Sequence, residues 1–271
     1  VLGHAGASPA DVSDVVVHAT TVVTNALIER KGPPVALILT KGFGDILYIR
    51  DEHRYDMYDP QIEFPEPLIT RDLTFTLAER TYADGEVGVE VDEAQVRAMA
   101  ADLKARGVQS VAVCLLNSYK NAENEQTVGR ILAEEMPDLF ISLSSDIAPQ
   151  MREYLRASTT AINAFTEPMT RPYLNALTKE LSERGFSQQP LIMLSSGGVV
   201  GAPTAGRNPV RMIESGPAAG ALVACYFSRL FGIKDLISFD MGGTTAKACM
   251  IQNHEPLVTG TFEVDRRYRF K

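Results

Sequence analysis

The chain has 271 residues, 45% of them apolar and 22% charged, which supplies ample material for a core and excludes a disordered chain. A formal net charge of −8 argues against nucleic acid and against an anionic membrane surface as partners, because neutralising phosphates needs clustered Lys and Arg. A small phosphate ligand stays allowed, since backbone N–H groups hold anions without basic side chains. No apolar run approaches the roughly 20 residues of a membrane span, and "VLGHAGASPADVSD" lacks a signal-peptide pattern. Three cysteines, Cys114, Cys225 and Cys249, each sit among core-type neighbours with no CxxC spacing. They read as reduced buried thiols of a cytoplasmic protein and give a zinc site no support.

In chain order, "DVVVHATTVVTNALIERKG" begins as a buried strand over 15–17 and turns into a helix with Gly32 as its C-cap. "VALILT" at 35–40 is a short, fully apolar strand. From about 42 to 92 the pattern is irregular, an insertion that ends in a hairpin-like "ERTYADGEVGVEV" with Asp-Gly at its turn. Helices follow over about 92–106, closed by Gly107, and 122–136, interleaved with strands at 110–116 and 139–145. Two helices near 149–164 and 167–184 lead to a strand at 190–196 and the turn "GGVVG". A helix from about Gly216 precedes the strand "LISFD" at 236–240, and "AKACMIQ" closes a hairpin. Strands alternating with helices predict an α/β fold with a largely parallel sheet.

The hairpin carries the sharpest signal. In "LISFDMGGTTAKACMI" a strand ends at Asp240, and Gly242 and Gly243 permit positive φ and close approach of a ligand. Successive N–H groups there, with the hydroxyls of Thr244 and Thr245, suit a phosphate. Asp240 suits Mg²⁺, directly or through water. An ordinary Gly-Gly hairpin explains the same residues, and the pattern is not a Walker motif, since Lys247 falls on the following strand. Upstream, "RMIESGPAAGALVACYFSRLFG" reads as a helix capped by Ser215 or Gly216 with Pro217 in its first turn. Its N-terminus offers free N–H groups, while Glu214 is either a solvated charge or a site carboxylate.

Elsewhere, His18, Thr20, Thr21, Thr24 and Asn25 fall at a strand end and helix start, where α/β sheets bind ligands, although a capping Thr and a core His explain them as well. The loop "RDEHRYDMYDP" holds Arg54, Tyr58 and Asp59 and is equally a solvated loop. In "MREYLRASTT", Arg152 and Arg156 share a helix face, and surface pairing with nearby acids accounts for them. "SSGG" at 195–198 is a weaker candidate, and without GxGxxG a dinucleotide site has no warrant.

Five blocks in order, "HATTVVTNALIERKG", "ILTKGFGDIL", "SSDIAPQMREYLRASTTAINAF", "ESGPAAG" and "SFDMGGTTAKACMI", resemble the hydantoinase A / 5-oxoprolinase family along almost the whole chain. This chain departs from the family pattern at Ala19, where Gly is common, and at Tyr55, where Pro is usual. The resemblance implies an actin-like ATPase (ribonuclease H-like) fold with a mixed sheet flanked by helices: most of a first lobe over 1–235, then the start of an incomplete second lobe over 236–271. It implies an internal fragment, inactive alone, of an ATP- and Mg²⁺-using A subunit that opens a cyclic amide of 5-oxoproline or N-methylhydantoin type with a B-type partner subunit. Homo-oligomerisation is left open. Asp240 and His18 would be catalytic. Gly242, Gly243, Thr244, Thr245, Ser215 and Gly216 would hold phosphate, and Thr20, Thr21, Asn25, Arg54, Arg152 and Glu153 the substrate, with Ser158 and Thr159 as further cleft residues. The alternatives are the ATP-using subunit of a related ketone carboxylase and a non-catalytic, nucleotide-gated actin-like module.

Overall fold

A computed structural model describes residues 4, 6, 8–12, 15–51, 57–242 and 246–260. In chain order it gives β1 (Val17–His18), α1 (Val22–Glu29), β2 (Val35–Thr40), α2 (Ile46–Ile49), β3 (Thr74–Leu77), β4 (Arg80–Thr81) and β5 (Val87–Val89). Then come α3 (Glu93–Ala105), β6 (Ser110–Cys114), α4 (Glu123–Glu135), β7 (Phe140–Leu143), α5 (Ser144–Ile147) and α6 (Glu153–Glu183). The last part holds β8 (Leu191–Met193), β9 (Val199–Gly201), α7 (Ala202–Arg207), α8 (Ser215–Phe231), β10 (Leu236–Met241), β11 (Ala246–Gln252) and β12 (Glu255–Pro256). Residues 27–169 form one unit; residues up to 26 together with 170–264 form the other.

The unit of residues 27–169 is built on a four-stranded sheet in the order β3-β2-β6-β7, with every neighbouring pair parallel. Every residue of β2 and β6 is buried, which is why both strands read as continuous apolar runs rather than alternating ones. Helices α3 and α4 supply the cover: Val96, Leu103, Val128, Ile131 and Leu132 pack with Ile38, Val111 and Val113 in one cluster. Asp92 caps α3 by accepting the Ala94 N–H at 2.9 Å, and Gly107 closes it at φ 66°. The expected hairpin is β4–β5. The stretch expected to be irregular also contains β3, whose Leu77 is buried and which pairs with β2 in parallel. Its short "TFTL" sits among polar and proline-bearing residues, so no periodicity announces it.

Three further expectations change. The helix ahead of Gly32 ends at Glu29, with Arg30 at φ 51°; Gly32 is needed instead for close approach, since a Cβ there would lie 2.6 Å from Phe165 Cζ. The pair of helices expected around residue 165 is one 31-residue helix, α6. Pro168 and Pro172 each remove one i→i−4 bond, but Ala157, Thr160, Ala161, Asn163, Ala164 and Thr166 are buried ahead of them and Leu174 after them, so burial on several faces holds α6 continuous. Val15 and Val17, expected inside, are 59% and 49% exposed, because β1 is a two-residue strand.

In the other unit, β1 lies parallel to β8 (Val17↔Leu191, His18↔Ile192) and β9 runs antiparallel to β8. A second, antiparallel sheet has the order β10-β11-β12. Helix α8 packs on it through Ala221 and Cys225, which are buried, as is Ile251 of β11. Cys114 and Cys225 are buried free thiols, and Cys249 is partly exposed.

Candidate active site

The candidate residues of the unit containing α8 are joined by a chain of contacts. His18 ends β1, and its Nε2 lies 2.9 Å from the Tyr173 hydroxyl. Partial burial lowers the His18 pKa, which favours the neutral imidazole. Two residues on, Thr20 Oγ1 accepts the Val22 N–H at 3.2 Å in a turn just ahead of α1, a structural use that competes with a ligand role. The Thr21 carbonyl accepts the Asn25 N–H at 2.8 Å as the first bond of that helix. Thr20 also uses its carbonyl, which accepts the Ser215 hydroxyl at 3.4 Å. Thr24, buried one turn into α1, accepts the Glu214 N–H at 3.3 Å. The start of α1 is thereby stitched to the start of α8.

Helix α8 begins at Ser215 with Glu214 as its N-cap in the left-handed region, φ 63°. Neither Ser215 nor Gly216 is the cap; they occupy the first helical positions, and Ser215 is fully buried. The Glu214 carboxylate forms an ion pair with Lys247, the two side chains being 17% and 26% exposed. Of the two readings the sequence allows for Glu214, the structure selects a partly buried, paired carboxylate. Burial pulls the Lys247 pKa down, while the adjacent carboxylate holds the ammonium in place.

Lys247 stands directly opposite Asp240 in the β10–β11 register, so the two share one sheet face. Asp240 is exposed, and its carboxylate has no hydrogen-bond partner among the described residues. A Cβ added at Gly242 would meet nothing within 4 Å, and the same holds at Gly216. An accessible carboxylate, a cation held across the strand, open space at two glycines and the N-terminus of a 17-residue helix together fit a magnesium–phosphate group. Gly243, Thr244 and Thr245 lie outside the described residues, as does Arg54.

The remaining candidates are placed differently. Asn25 and Thr21 are exposed on α1 and pair with each other at 3.3 Å, a local contact four residues apart. Arg152 and Glu153 belong to the unit of residues 27–169. Arg152 is exposed at φ 85° just before α6, and Glu153 is the first residue of that helix. Ser158 and Thr159 are half-buried on α6, and Thr159 returns its hydroxyl to the Leu155 carbonyl at 2.7 Å. "SSGG" makes a tight turn between β8 and β9, with Gly197 at φ 82° and Ser195 donating its hydroxyl to the Arg211 carbonyl at 2.9 Å. Sequence reasoning missed Tyr173, which no motif marks, and Lys247, whose position opposite Asp240 follows from the hairpin register.

Family models match nearly the whole chain: the hydantoinase/oxoprolinase N-terminal region over residues 1–136, and hydantoinase/oxoprolinase over 156–270. The chain belongs to the hydantoinase/oxoprolinase family. An uncharacterized protein of Methanocaldococcus jannaschii is 38% identical over 94% of this chain and 38% of its own length. The caprolactamase subunit alpha of Pseudomonas jessenii is 33% identical over 89% of this chain and 35% of its own. A 5-oxoprolinase of Saccharomyces cerevisiae is 32% identical over 88% and 20%. Among solved structures, nucleotide-free acetone carboxylase superposes with a TM-score of 0.82 at 27% identity, and the ATP-dependent caprolactamase of P. jessenii with 0.76 at 32%. Each structure covers 89% of this chain, which spans 35% of theirs. The chain thus spans well under half the length of these relatives.

Proposed function

We propose that the full protein is an ATP-dependent hydrolase of a cyclic amide, of the 5-oxoproline or N-methylhydantoin type, working in the cytoplasm as an A-type subunit with a B-type partner. One observation carries the reading: relatives named caprolactamase and 5-oxoprolinase align with 89% and 88% of the chain, and the family's models match residues 1–136 and 156–270, which hold the His18 strand end and the Asp240 hairpin. On this reading the fold is an actin-like ATPase lobe over 1–235, and 236–271 opens a second lobe.

A lactam amide is resonance-stabilised, and ATP, when bound, supplies the phosphoryl group that activates its carbonyl oxygen. The rest falls to this chain, whose task is positioning and charge. Asp240 would hold Mg²⁺. The loop of Gly242, Gly243, Thr244 and Thr245 would hold phosphate oxygens, with Ser215 and Gly216 presenting the positive end of α8. Lys247, kept near by Glu214, would balance negative charge on the Asp240 side. His18, neutral and oriented by Tyr173, would donate to or accept from the lactam at the end of β1. Thr20, Thr21, Asn25, Arg54, Arg152 and Glu153 would line the substrate.

A second reading, the ATP-using subunit of a ketone carboxylase, is favoured by the 0.82 TM-score to acetone carboxylase. Phosphate release by the full-length protein with its partner subunit, tested with 5-oxoproline, caprolactam, N-methylhydantoin, acetone and bicarbonate, separates them. Stimulation by a cyclic amide with ring-opened product supports the hydrolase. Stimulation only by ketone plus bicarbonate supports the carboxylase.

A further inference from the structure

A regulatory consequence follows for the Asp240 hairpin, and it rests on the reading of that hairpin as a phosphate site. Its starting point is the backbone of Glu214. This residue lies in the left-handed region, φ 63°, a conformation that carries a steric cost for any residue with a Cβ. A side chain at an N-cap ordinarily turns back to accept one of its helix's first N–H groups. Glu214 makes no such bond. Its carboxylate reaches instead to the Lys247 ammonium on β11, the one ion pair that either residue forms among the described residues.

Two contacts hold Glu214 in that posture. Its N–H donates to the buried Thr24 hydroxyl at 3.3 Å, and the next residue, fully buried Ser215, donates its hydroxyl to the Thr20 carbonyl at 3.4 Å. Backbone strain kept in place by such buried contacts is a mark of function rather than of packing alone. The strain here serves a carboxylate that stands where an anion would stand. Lys247 lies opposite Asp240 in the β10–β11 register, so its ammonium is on the face assigned to phosphate.

A phosphate at this hairpin and the Glu214 carboxylate would therefore claim the same ammonium, and two anions sharing it repel each other. A phosphate group carries up to twice the charge of a carboxylate and takes the ammonium from it. With side chains 17% and 26% exposed, the pair is open enough to water to exchange without unpacking a core.

We propose that Glu214 is a built-in competitor for Lys247: it holds the ammonium until a phosphate group takes it, so that phosphate binding uncouples the start of α8 from the β10–β11 hairpin.

The test is calorimetric titration of the full-length protein with MgATP, unsubstituted and as Glu214→Gln. A competitor and a structural prop predict opposite signs. Removing a competitor should tighten MgATP about fivefold, the scale of one partly exposed ion pair. Removing a prop weakens binding or leaves it unchanged, and either result overturns the proposal. If Glu214→Gln does not fold by circular dichroism, Glu214→Gly, which suits φ 63°, replaces it with the same expectation. Combined with Lys247→Met, the gain should shrink below about twofold; an equal gain there would mean general charge repulsion and would contradict exchange of the ammonium. Failure of the unsubstituted protein to bind MgATP would remove the phosphate reading and this proposal together. Binding without a gain in the variant would remove this proposal alone.

Discussion

The sheet of β2 and β6 and the sheet of β10 and β11 are made from similar amino acids and end up opposite in character. "VALILT" and "SVAVC" are buried at every residue. In "LISFDM", Ile237, Phe239 and Met241 are 66%, 66% and 72% exposed, and Met250, opposite Ile237, is 52% exposed. The inward face of β10 instead holds Leu236, Ser238 and Asp240, the set that shares a face with Lys247. Burial on both faces, one of them under α3 and α4, removes one sheet from water. A single helix, α8, covers one face of the other and leaves its polar edge free to carry chemistry.

The largest contrast should appear on truncating side chains. Leu103→Ala, in the fully buried cluster under the parallel sheet, should destabilise the chain by about 3 kcal/mol, because it opens a cavity in a close-packed core. Denaturant unfolding measures it. Glu125→Ala should cost about 2–4 kcal/mol by the same assay, since four donors lose their acceptor in a site closed to water. Phe239→Ala, on the exposed face of β10, should stay within about 0.5 kcal/mol. A large loss there would mean that this face is covered, and the comparison would fail.

The two units should also respond to pH in opposite directions. Burial raises the Glu79 pKa against the pull of its Thr40 and Asn124 hydrogen bonds. The native state therefore keeps its proton longer than the unfolded chain, and this contribution is present in acid and lost as pH rises through the raised value. Glu79→Gln should stabilise the chain at neutral pH and lose that advantage in acid, as followed by Tm against pH. Burial lowers the His18 pKa, so its contribution is present above the ordinary histidine value of 6.5 and lost as pH falls through the lowered one. His18 should titrate below free histidine by NMR, and Tyr173→Phe should change its position by less than the burial effect does.

Much of the fold was legible. Buried parallel strands announce themselves as unbroken apolar runs, and Asp92 and Gly107 mark both ends of α3. Continuity of α6 through Pro168 and Pro172 was not legible, because tertiary packing overrode a local signal. Of the site, the motifs at His18, Ser215 and Asp240 stood out as chemistry, and the structure joins the first two through Thr20. What joins them to Asp240 is the Glu214–Lys247 pair together with strand register, a relation between residues far apart in sequence. Arg156, which is 1% exposed, was misplaced on the surface for a related reason: helical spacing assigns a face and leaves open whether that face meets water.

The account stands on Asp240 as the working carboxylate of this frame, and phosphate release by the full-length protein carrying Asp240→Asn tests it most directly. With the fold retained, we expect substrate-stimulated release to fall by roughly a thousandfold, the scale for removing a preorganised electrostatic group. Release within about twofold of the unsubstituted protein, well under 1 kcal/mol of transition-state stabilisation, would contradict it.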